Sequence, residues 1–278
     1  MTKLQNAIIG LAVGDALGVP YEFKTRDTFE CTDMIGYGTY NQPAGTWSDD
    51  TSMTLATLYS LNKLGKIDLN DIMHQFWRWW YEGKFINSDE VFDVGFTTHK
   101  ALNNYVMGFD PKDCGSSDID SNGNGSLMRI LPLAFTDCSM EDVAAVSSLT
   151  HAHMISVQAC QIYVLIAREL LKGNSIIESI KNVWYRHDWL SEYNRLSHIG
   201  LLNRNEIRSS GYVVDTLEAA LWCLAKSSSY EECVLKAVNL GGDTDTVAAV
   251  AGGLAGIIYE IPKKWIEKTR ILTFFEKM

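Results

Sequence analysis

The sequence predicts an all-α protein folded as a single domain. Apolar residues recur at helical spacing along almost the whole chain, and no series of alternating polar and apolar residues indicates a sheet. Only five prolines interrupt this pattern. A length of 278 residues, with 46% apolar and 21% charged residues, is typical of a globular protein with a sizeable core. No linker, internal repeat or low-complexity segment divides residues 1–278, so we expect one domain.

The predicted helices follow one another with recognisable starts and contact surfaces. In the first, Gly10, Gly14 and Gly18 recur at a spacing of four, which lets another helix or loop approach closely. Ser139 and Ser229 each precede an acidic residue three positions further on, as in the capping boxes that begin helices. The long periodic runs predict helices over residues 6–17, 51–64, 71–81, 154–171, 214–225 and 247–259.

Charge and cysteine content limit the partners and the compartment. A formal net charge of −10 argues against a nucleic-acid-binding surface, although bound cations and helix N-termini can still attract an anionic small molecule. The six cysteines form no CxxC pair, which predicts a reduced compartment. Asp15 interrupts the apolar N-terminal run before a signal peptide or membrane span could form. We expect a cytoplasmic monomer with no membrane or nucleic-acid partner.

Two short acidic clusters stand far apart in the chain, at residues 47–51 and 241–246. Each pairs two aspartates with hydroxyl neighbours, and the second follows two glycines. Oxygen ligands of this kind suit hard cations such as Mg²⁺, Mn²⁺ or Ca²⁺ rather than zinc. If the fold brings the clusters together, four aspartates converge and would repel one another unless cations compensate them. A metal centre is therefore the leading hypothesis.

Helix capping is the simpler explanation for both clusters. Ser48 or Asp49 fits the N-cap of the second helix, but a cap needs one acceptor and this cluster supplies more. The helix after Asp245 is apolar all round, which predicts that it is buried together with its acidic start. A strand-based phosphatase nucleophile box at residues 243–247 fails on context, because a helix precedes it and only 31 residues follow.

Other polar islands interrupt the apolar helices. Residues 122–129 form a glycine-rich turn predicted to open a helix, a geometry that can present backbone N–H groups to phosphate. His151 and His153 stand two positions apart, which on a helix points them away from each other and favours structural or substrate contacts over a shared metal. Tyr212 follows Gly211 on a loop, where it could fill core or stack on a base.

Taken together, these islands resemble the ADP-ribosylglycohydrolase family, metal-dependent enzymes that remove ADP-ribose from modified residues. The matching segments, in chain order, are residues 14–18, 47–51, 92–95, 123–129, 150–151, 209–212 and 241–246. The resemblance implies a compact, single-domain orthogonal helix bundle with a binuclear Mg²⁺ or Mn²⁺ centre at the bottom of a cleft.

The resemblance also implies roles for individual residues. The implied metal ligands are Ser48, Asp49, Asp50, Asp243, Asp245 and Thr246. The implied catalytic residues are Glu22 near the attacking water, Asp93 near the departing group, and Asp245. The implied substrate-binding residues are Gly123, Asn124, Gly125 and Ser126 for the diphosphate, with His151, and Tyr212 for the adenine. Arg129 would contribute charge or a structural salt bridge.

The resulting functional hypothesis is a hydrolase that uses two Mg²⁺ or Mn²⁺ ions to release ADP-ribose from a modified acceptor, above all arginine in a protein. Its partner would be an ADP-ribosylated protein or a small ADP-ribosyl compound. One alternative is a regulatory module that binds ADP-ribose with little turnover. Another is a hydrolase of O-linked ADP-ribose or of a small ADP-ribosyl metabolite.

Overall fold

The computed structural model describes residues 1–276, and within that range the protein is built from α-helices without a β-strand, which confirms the predicted fold class. Short 3-10 turns and irregular loops join the helices. The α-helices are α1 Lys3–Gly18, α2 Asp49–Leu64, α3 Leu69–Glu82, α4 Phe96–Val106, α5 Met140–Ser148, α6 Met154–Leu171, α7 Ile176–Tyr185, α8 Val213–Ala225, α9 Tyr230–Val238, α10 Thr244–Ile258, α11 Lys263–Thr269 and α12 Leu272–Phe275.

Helices α1 and α10 pack backbone against backbone at the centre of the molecule. A Cβ added at Gly10 would lie 2.3 Å from the Gly252 carbonyl oxygen, and one at Gly14 would lie 2.1 Å from the Ala248 oxygen. One at Gly18 would lie 2.3 Å from the Asp245 Cα atom. The glycine spacing in α1 therefore serves the close helix approach that the sequence predicted. This packing fixes the start of α10 against the end of α1.

Helix α10 is buried along nearly its whole length, as its uniformly apolar sequence predicted. Helix α6 packs against it, and the Tyr163 hydroxyl donates to the Val250 carbonyl at 2.8 Å. With a mean hydropathy of 1.3 over 18 residues, α6 is long and apolar enough to cross a membrane, yet 67% of it is buried inside the protein. Core helices of globular proteins share this composition.

The glycine-rich turn and one of the two predicted capping boxes differ from the structure. The glycine-rich turn opens only a three-residue 3-10 segment, Asn124–Ser126, so no helix N-terminus stands behind it. Ser139 forms a complete capping box with Asp142, as predicted. Ser229 caps α9 through the Glu232 N–H at 3.1 Å, but the Glu232 carboxylate accepts from the Ser228 N–H instead of closing a box.

Candidate active site

The first acidic cluster forms the N-terminus of α2. Ser48 is the N-cap, and its hydroxyl oxygen accepts a hydrogen bond from the Asp50 N–H at 3.3 Å. Asp49 and Asp50 occupy the first helical turn, and both are buried. Within this cluster, capping thus uses Ser48 alone. Both carboxylate oxygens of Asp50 are buried without a hydrogen-bond partner in the described residues.

The second cluster forms the N-terminus of α10, directly beside the first. Gly241 and Gly242 have φ values of 71° and 73°, and a Cβ at Gly241 would lie 2.6 Å from the Arg26 nitrogen. Only glycine fits this turn without strain. It places Asp243 and Asp245 at the helix start. The N-cap residue Asp243 makes no capping bond, whereas one oxygen of Asp245 accepts from the Thr246 N–H at 2.9 Å. Each aspartate retains one buried carboxylate oxygen without a partner in the described residues.

The fold brings the two acidic clusters together, which is the condition on which the metal-centre hypothesis depends. Carboxylate oxygens of Asp15, Asp50 and Asp245 lie within 4.8 Å of one another, and so do those of Glu22, Asp243 and Asp245. Asp245 belongs to both groups and therefore stands at the centre of the cluster. Carboxylate oxygens gathered this closely suit hard divalent cations.

Asp15 anchors this arrangement, although its sequence motif alone did not reveal a role for it. One of its oxygens accepts from the Ser48 N–H at 2.9 Å, and the other accepts from the Thr51 N–H at 3.0 Å and the Thr51 hydroxyl at 2.6 Å. These bonds engage both oxygens, so Asp15 holds the start of α2 in place rather than offering itself as a ligand. The signal that the sequence offered for this role was a single acidic residue within the apolar helix α1.

Unpartnered oxygens provide the physical test of whether a metal fits here. Buried polar atoms are nearly always hydrogen-bonded, and an isolated buried carboxylate is costly. Yet among residues 1–276, five oxygens of four neighbouring carboxylates have no partner: Glu22 Oε2, Asp50 Oδ1, Asp50 Oδ2, Asp243 Oδ1 and Asp245 Oδ2. All are hard oxygen donors. Divalent cations would satisfy them and neutralise their charge.

The carboxylates strongly perturb one another. Burial, followed by the charges of Asp15 and Asp49, raises the pKa of Asp50 well above its usual range. Burial, followed by the charge of Asp93, raises the pKa of Glu22 to about 9. Negative charge is therefore unfavourable throughout the cluster unless positive charge accompanies it. A bound cation would reverse these shifts, so binding should release protons.

Cation-dependent stabilisation is expected to increase with pH. The folded-state pKa of Asp15 is raised from 3.8 to about 6 and that of Glu22 from 4.5 to about 9. A raised pKa favours the folded state fully below the unfolded value, and this contribution is lost as pH rises through about 6 and then about 9. The metal-free protein should therefore lose stability across this window, whereas cations take the place of protons in the loaded protein.

Thermal unfolding with Mg²⁺ and with a chelator, measured from about pH 5 to pH 8, tests this expectation. The difference in Tm between the two conditions should widen as pH rises. A difference that stays constant or narrows would show that the cluster does not exchange protons for cations.

Above the carboxylates lies a cleft of about 260 Å³. Glu22, Asp49, Asp243 and Thr246 line it, whereas Asp50 and Asp245 have no exposed surface and lie beneath them. The remaining predicted residues that line the cleft are Asp93, Gly123, Asn124, Gly125 and His151.

The glycine-rich turn is tied to both the Tyr212 loop and the acidic cluster. The Asn124 N–H donates to the Gly211 oxygen at 3.0 Å, and the Val213 N–H donates to the Asn122 oxygen at 3.0 Å. The Asn124 side-chain amide donates to Oδ2 of Asp243 at 2.8 Å. Tyr212, 38% exposed, thus stands next to the turn.

Two residues of the glycine-rich segment differ from expectation. The Ser126 hydroxyl is fully buried within bonding distance of Ser147 and Cys160, so its side chain does not reach the cleft. Arg129 is also fully buried, and no carboxylate of the described residues lies within salt-bridge distance of it. The predicted salt bridge is therefore wrong.

Asp93 lies at the cleft outside both carboxylate groups. Its backbone has a φ of 58°, an uncommon conformation for a residue other than glycine. The Tyr40 hydroxyl donates to its carboxylate at 2.6 Å. Sequence reasoning missed Tyr40, because 53 residues separate the partners and no local pattern joins them.

Known proteins are similar to this chain in both sequence and fold. Residues 1–277 match the sequence profile of the ADP-ribosylglycohydrolase family. ADP-ribosylarginine hydrolase Tri1 of Serratia proteamaculans (strain 568) is 33% identical, over 96% of this chain and 75% of that protein. ADP-ribosyl-[dinitrogen reductase] glycohydrolase of Rhodospirillum rubrum is 33% identical, over 94% of this chain and 88% of that protein.

A solved structure of an ADP-ribosylglycohydrolase-related protein complex superposes with a TM-score of 0.82 at 32% identity, covering 98% of this chain and 95% of that one. The profile match spans almost the whole chain, and the superposition extends over the helices that carry the carboxylates. The chain therefore belongs to the ADP-ribosylglycohydrolase family of ADP-ribosyl hydrolases.

Proposed function

We propose that the protein is a divalent-cation-dependent hydrolase that releases ADP-ribose from arginine side chains of modified proteins. The observation that carries this proposal is the convergence of Asp50, Asp243 and Asp245, each with a buried oxygen that lacks a partner, beneath a cleft. Family membership supplies the reaction class, and the site supports the cation dependence.

The same carboxylates would hold the cations, with Asp49, Thr246 and the Ser48 hydroxyl as further oxygen donors around them. When bound, two Mg²⁺ or Mn²⁺ ions would polarise the ribose hydroxyls and a water molecule. Asp15 keeps the ligand-bearing start of α2 in register through its hydrogen bonds to Ser48 and Thr51.

ADP-ribose would lie along the cleft with its ribose towards the carboxylates. Backbone groups of the turn at Gly123 and Gly125, together with His151, would contact the diphosphate, and Tyr212 would stack on the adenine. The narrow approach at Gly125 supports this placement, because a Cβ there would lie 2.9 Å from His151.

Hydrolysis forms a bond from the water oxygen to the anomeric carbon and breaks the bond from that carbon to the acceptor, through an oxocarbenium-like state. Glu22, beside Asp243 and Asp245, would orient the water and accept its proton. The departing guanidine would take up this proton and leave as the guanidinium, with Asp93 facing it and balancing its positive charge. The products are ADP-ribose and the unmodified acceptor.

Aromatic side chains at the cleft mouth favour a guanidinium acceptor. Phe23, next to Glu22 in the sequence, is 70% exposed, and Phe96, three positions after Asp93, is 82% exposed; both residues line the cleft. A planar cation between carboxylates can also stack on an aromatic face, which a neutral serine oxygen cannot. The arginine-linked substrate named for the Serratia relative agrees with this chemistry.

Phe96→Ala is expected to lower kcat/KM for an ADP-ribosyl-arginine substrate about fivefold, since a partly desolvated cation–π contact contributes about 1 kcal/mol. Affinity for free ADP-ribose should stay unchanged. The matched control is Tyr185→Ala, which removes a ring that is 77% exposed on α7. An equal loss on arginine-linked and serine-linked substrates would contradict a role in acceptor choice.

A cleavage panel tests the proposed function as a whole. Purified protein with Mg²⁺ or Mn²⁺ is incubated with ADP-ribosyl-arginine, ADP-ribosyl-serine and O-acetyl-ADP-ribose, and released ADP-ribose is quantified. We expect arginine release that a chelator stops. Cleavage of none of the three, with ADP-ribose still bound, would instead identify a binding module.

A further inference from the structure

Arg129 is a buried cation that the proposed reaction does not use. Its side chain is fully buried, and the guanidinium stacks on the Phe76 ring at 4.4 Å. One of its nitrogens, Nη2, donates to the Val146 oxygen at 3.2 Å and to the Thr150 hydroxyl oxygen at 2.8 Å. A buried charge without a carboxylate partner is costly, which calls for a compensating role.

Thr150 links this cation to the cleft. Its hydroxyl oxygen lies 2.8 Å from Nδ1 of His151, and both residues are buried. The other edge of the His151 ring borders the glycine-rich turn, where a Cβ at Gly123 would lie 3.6 Å from Nε2. The chain Arg129, Thr150, His151 therefore runs from the interior to the cleft wall.

The hydrogen-bond donors and acceptors around Thr150 decide which nitrogen of the His151 ring carries the proton. A guanidinium can only donate, so the Thr150 oxygen accepts from Arg129. The buried Thr150 hydroxyl then has one proton to place, and Nδ1 of His151 is the acceptor within reach in the described residues. The opposite tautomer would donate from Nδ1 to Thr150 and leave that hydroxyl proton buried without an acceptor, at a cost of about 1–3 kcal/mol.

We propose that Arg129 and Thr150 are positioning residues that fix His151 in the tautomer with its proton on Nε2, so that this N–H donates into the cleft to an anionic oxygen of the substrate diphosphate. This inference rests on the proposed function, which puts ADP-ribose in the cleft. The buried guanidinium of Arg129 then has a role, because its positive charge strengthens the series of hydrogen bonds that ends at the anionic substrate.

The same surroundings keep the imidazole neutral. Burial, followed by the positive charge of Arg129, lowers the pKa of His151 to about 3. Burial lowers the pKa of Arg129 to about 10, which still leaves the guanidinium protonated at neutral pH. His151 would thus offer one fixed donor instead of a charge that varies with pH.

Thr150→Val tests the proposal, because valine preserves the shape and removes the hydroxyl. The histidine tautomer is measured by ¹⁵N NMR, and ADP-ribose affinity by calorimetry on the Mg²⁺-loaded protein. We expect His151 of the unaltered protein to carry its proton on Nε2. Thr150→Val should lose this preference and bind ADP-ribose about tenfold more weakly, since a hydrogen bond to a charged group contributes about 1.5 kcal/mol.

Two matched variants separate positioning from a general loss of stability. Thr150→Ser keeps the hydroxyl and should retain both the tautomer and the affinity. Thr57→Val removes another fully buried threonine hydroxyl, one that donates to the Met53 oxygen within α2, and should leave ADP-ribose affinity unchanged.

A proton on Nδ1 in the unaltered protein, or full ADP-ribose affinity in Thr150→Val, would overturn the proposal. These outcomes are independent of the cleavage panel. A protein that binds ADP-ribose in this way but cleaves no linkage would contradict the proposed function and leave the positioning of His151 intact.

Discussion

Asp245→Asn is expected to reduce kcat/KM by about 10²–10³-fold, on the scale of losing a central charge-stabilising group. Asp245 is shared by both carboxylate groups. One of its oxygens accepts from the Thr246 N–H at 2.9 Å, a bond that asparagine can keep. The other has no partner, and asparagine would replace that anion with an uncharged amide. Cation affinity and turnover should therefore fall together while the fold persists.

Calorimetric titration with Mg²⁺ or Mn²⁺ and quantification of released ADP-ribose measure the two effects. Because the substitution removes a buried charge, the metal-free variant should unfold at a Tm no lower than that of the unaltered protein in chelator. Asp188→Asn, an exposed aspartate, is the control and should change none of these quantities. Unchanged cation affinity in Asp245→Asn would contradict the assignment of this residue.

Gly14→Ala is expected to lower the free energy of unfolding by about 3 kcal/mol or more, as overpacking against a rigid backbone does in its severe cases. In an exposed helix interior the same change stabilises by about 1 kcal/mol. Here the new Cβ would lie 2.1 Å from the Ala248 oxygen and 2.6 Å from its carbonyl carbon, and neither atom belongs to a flexible side chain. The two helices would have to separate.

Chemical denaturation measures the change in the free energy of unfolding. Its sign is already diagnostic, because the same substitution in an exposed helix would stabilise the protein. The control is Gly95→Ala, since Gly95 has a φ of −60° and nothing lies within 4 Å of an added Cβ. That variant should stay within about 0.5 kcal/mol of the unaltered protein. A Gly14→Ala protein as stable as the control would mean that α1 and α10 do not pack as closely as described.

The helical periodicity of apolar residues in the sequence predicted most of the fold. The predicted helix at residues 154–171 coincides with α6, Met154–Leu171. For α10 the apolar run began at residue 247, and the acidic residues before it were predicted to open the helix; the structure begins the helix at Thr244. An apolar pattern marks only the apolar part of a helix, so the polar first turn of α10 lies outside that pattern although it is helical and buried.

The site was predictable where its residues are neighbours in sequence. The clusters at residues 47–51 and 241–246 were recognisable because each has more oxygen ligands than helix capping needs, and the fold brings them together. Partners that meet only through tertiary packing left no local signal. Asp15 contacts Thr51 across 36 positions, and Arg129 reaches Thr150 across 21. The burial of Ser126 likewise follows from its packing against α5 and α6, which no turn motif encodes.

Anomalous diffraction from crystals grown with Mn²⁺ tests the central claim most directly, that the two acidic clusters form one cation centre. We expect Mn²⁺ peaks within coordination distance of the carboxylate oxygens of Asp50, Asp243 and Asp245. Crystals saturated with Mn²⁺ that show peaks only elsewhere, or none, would contradict it.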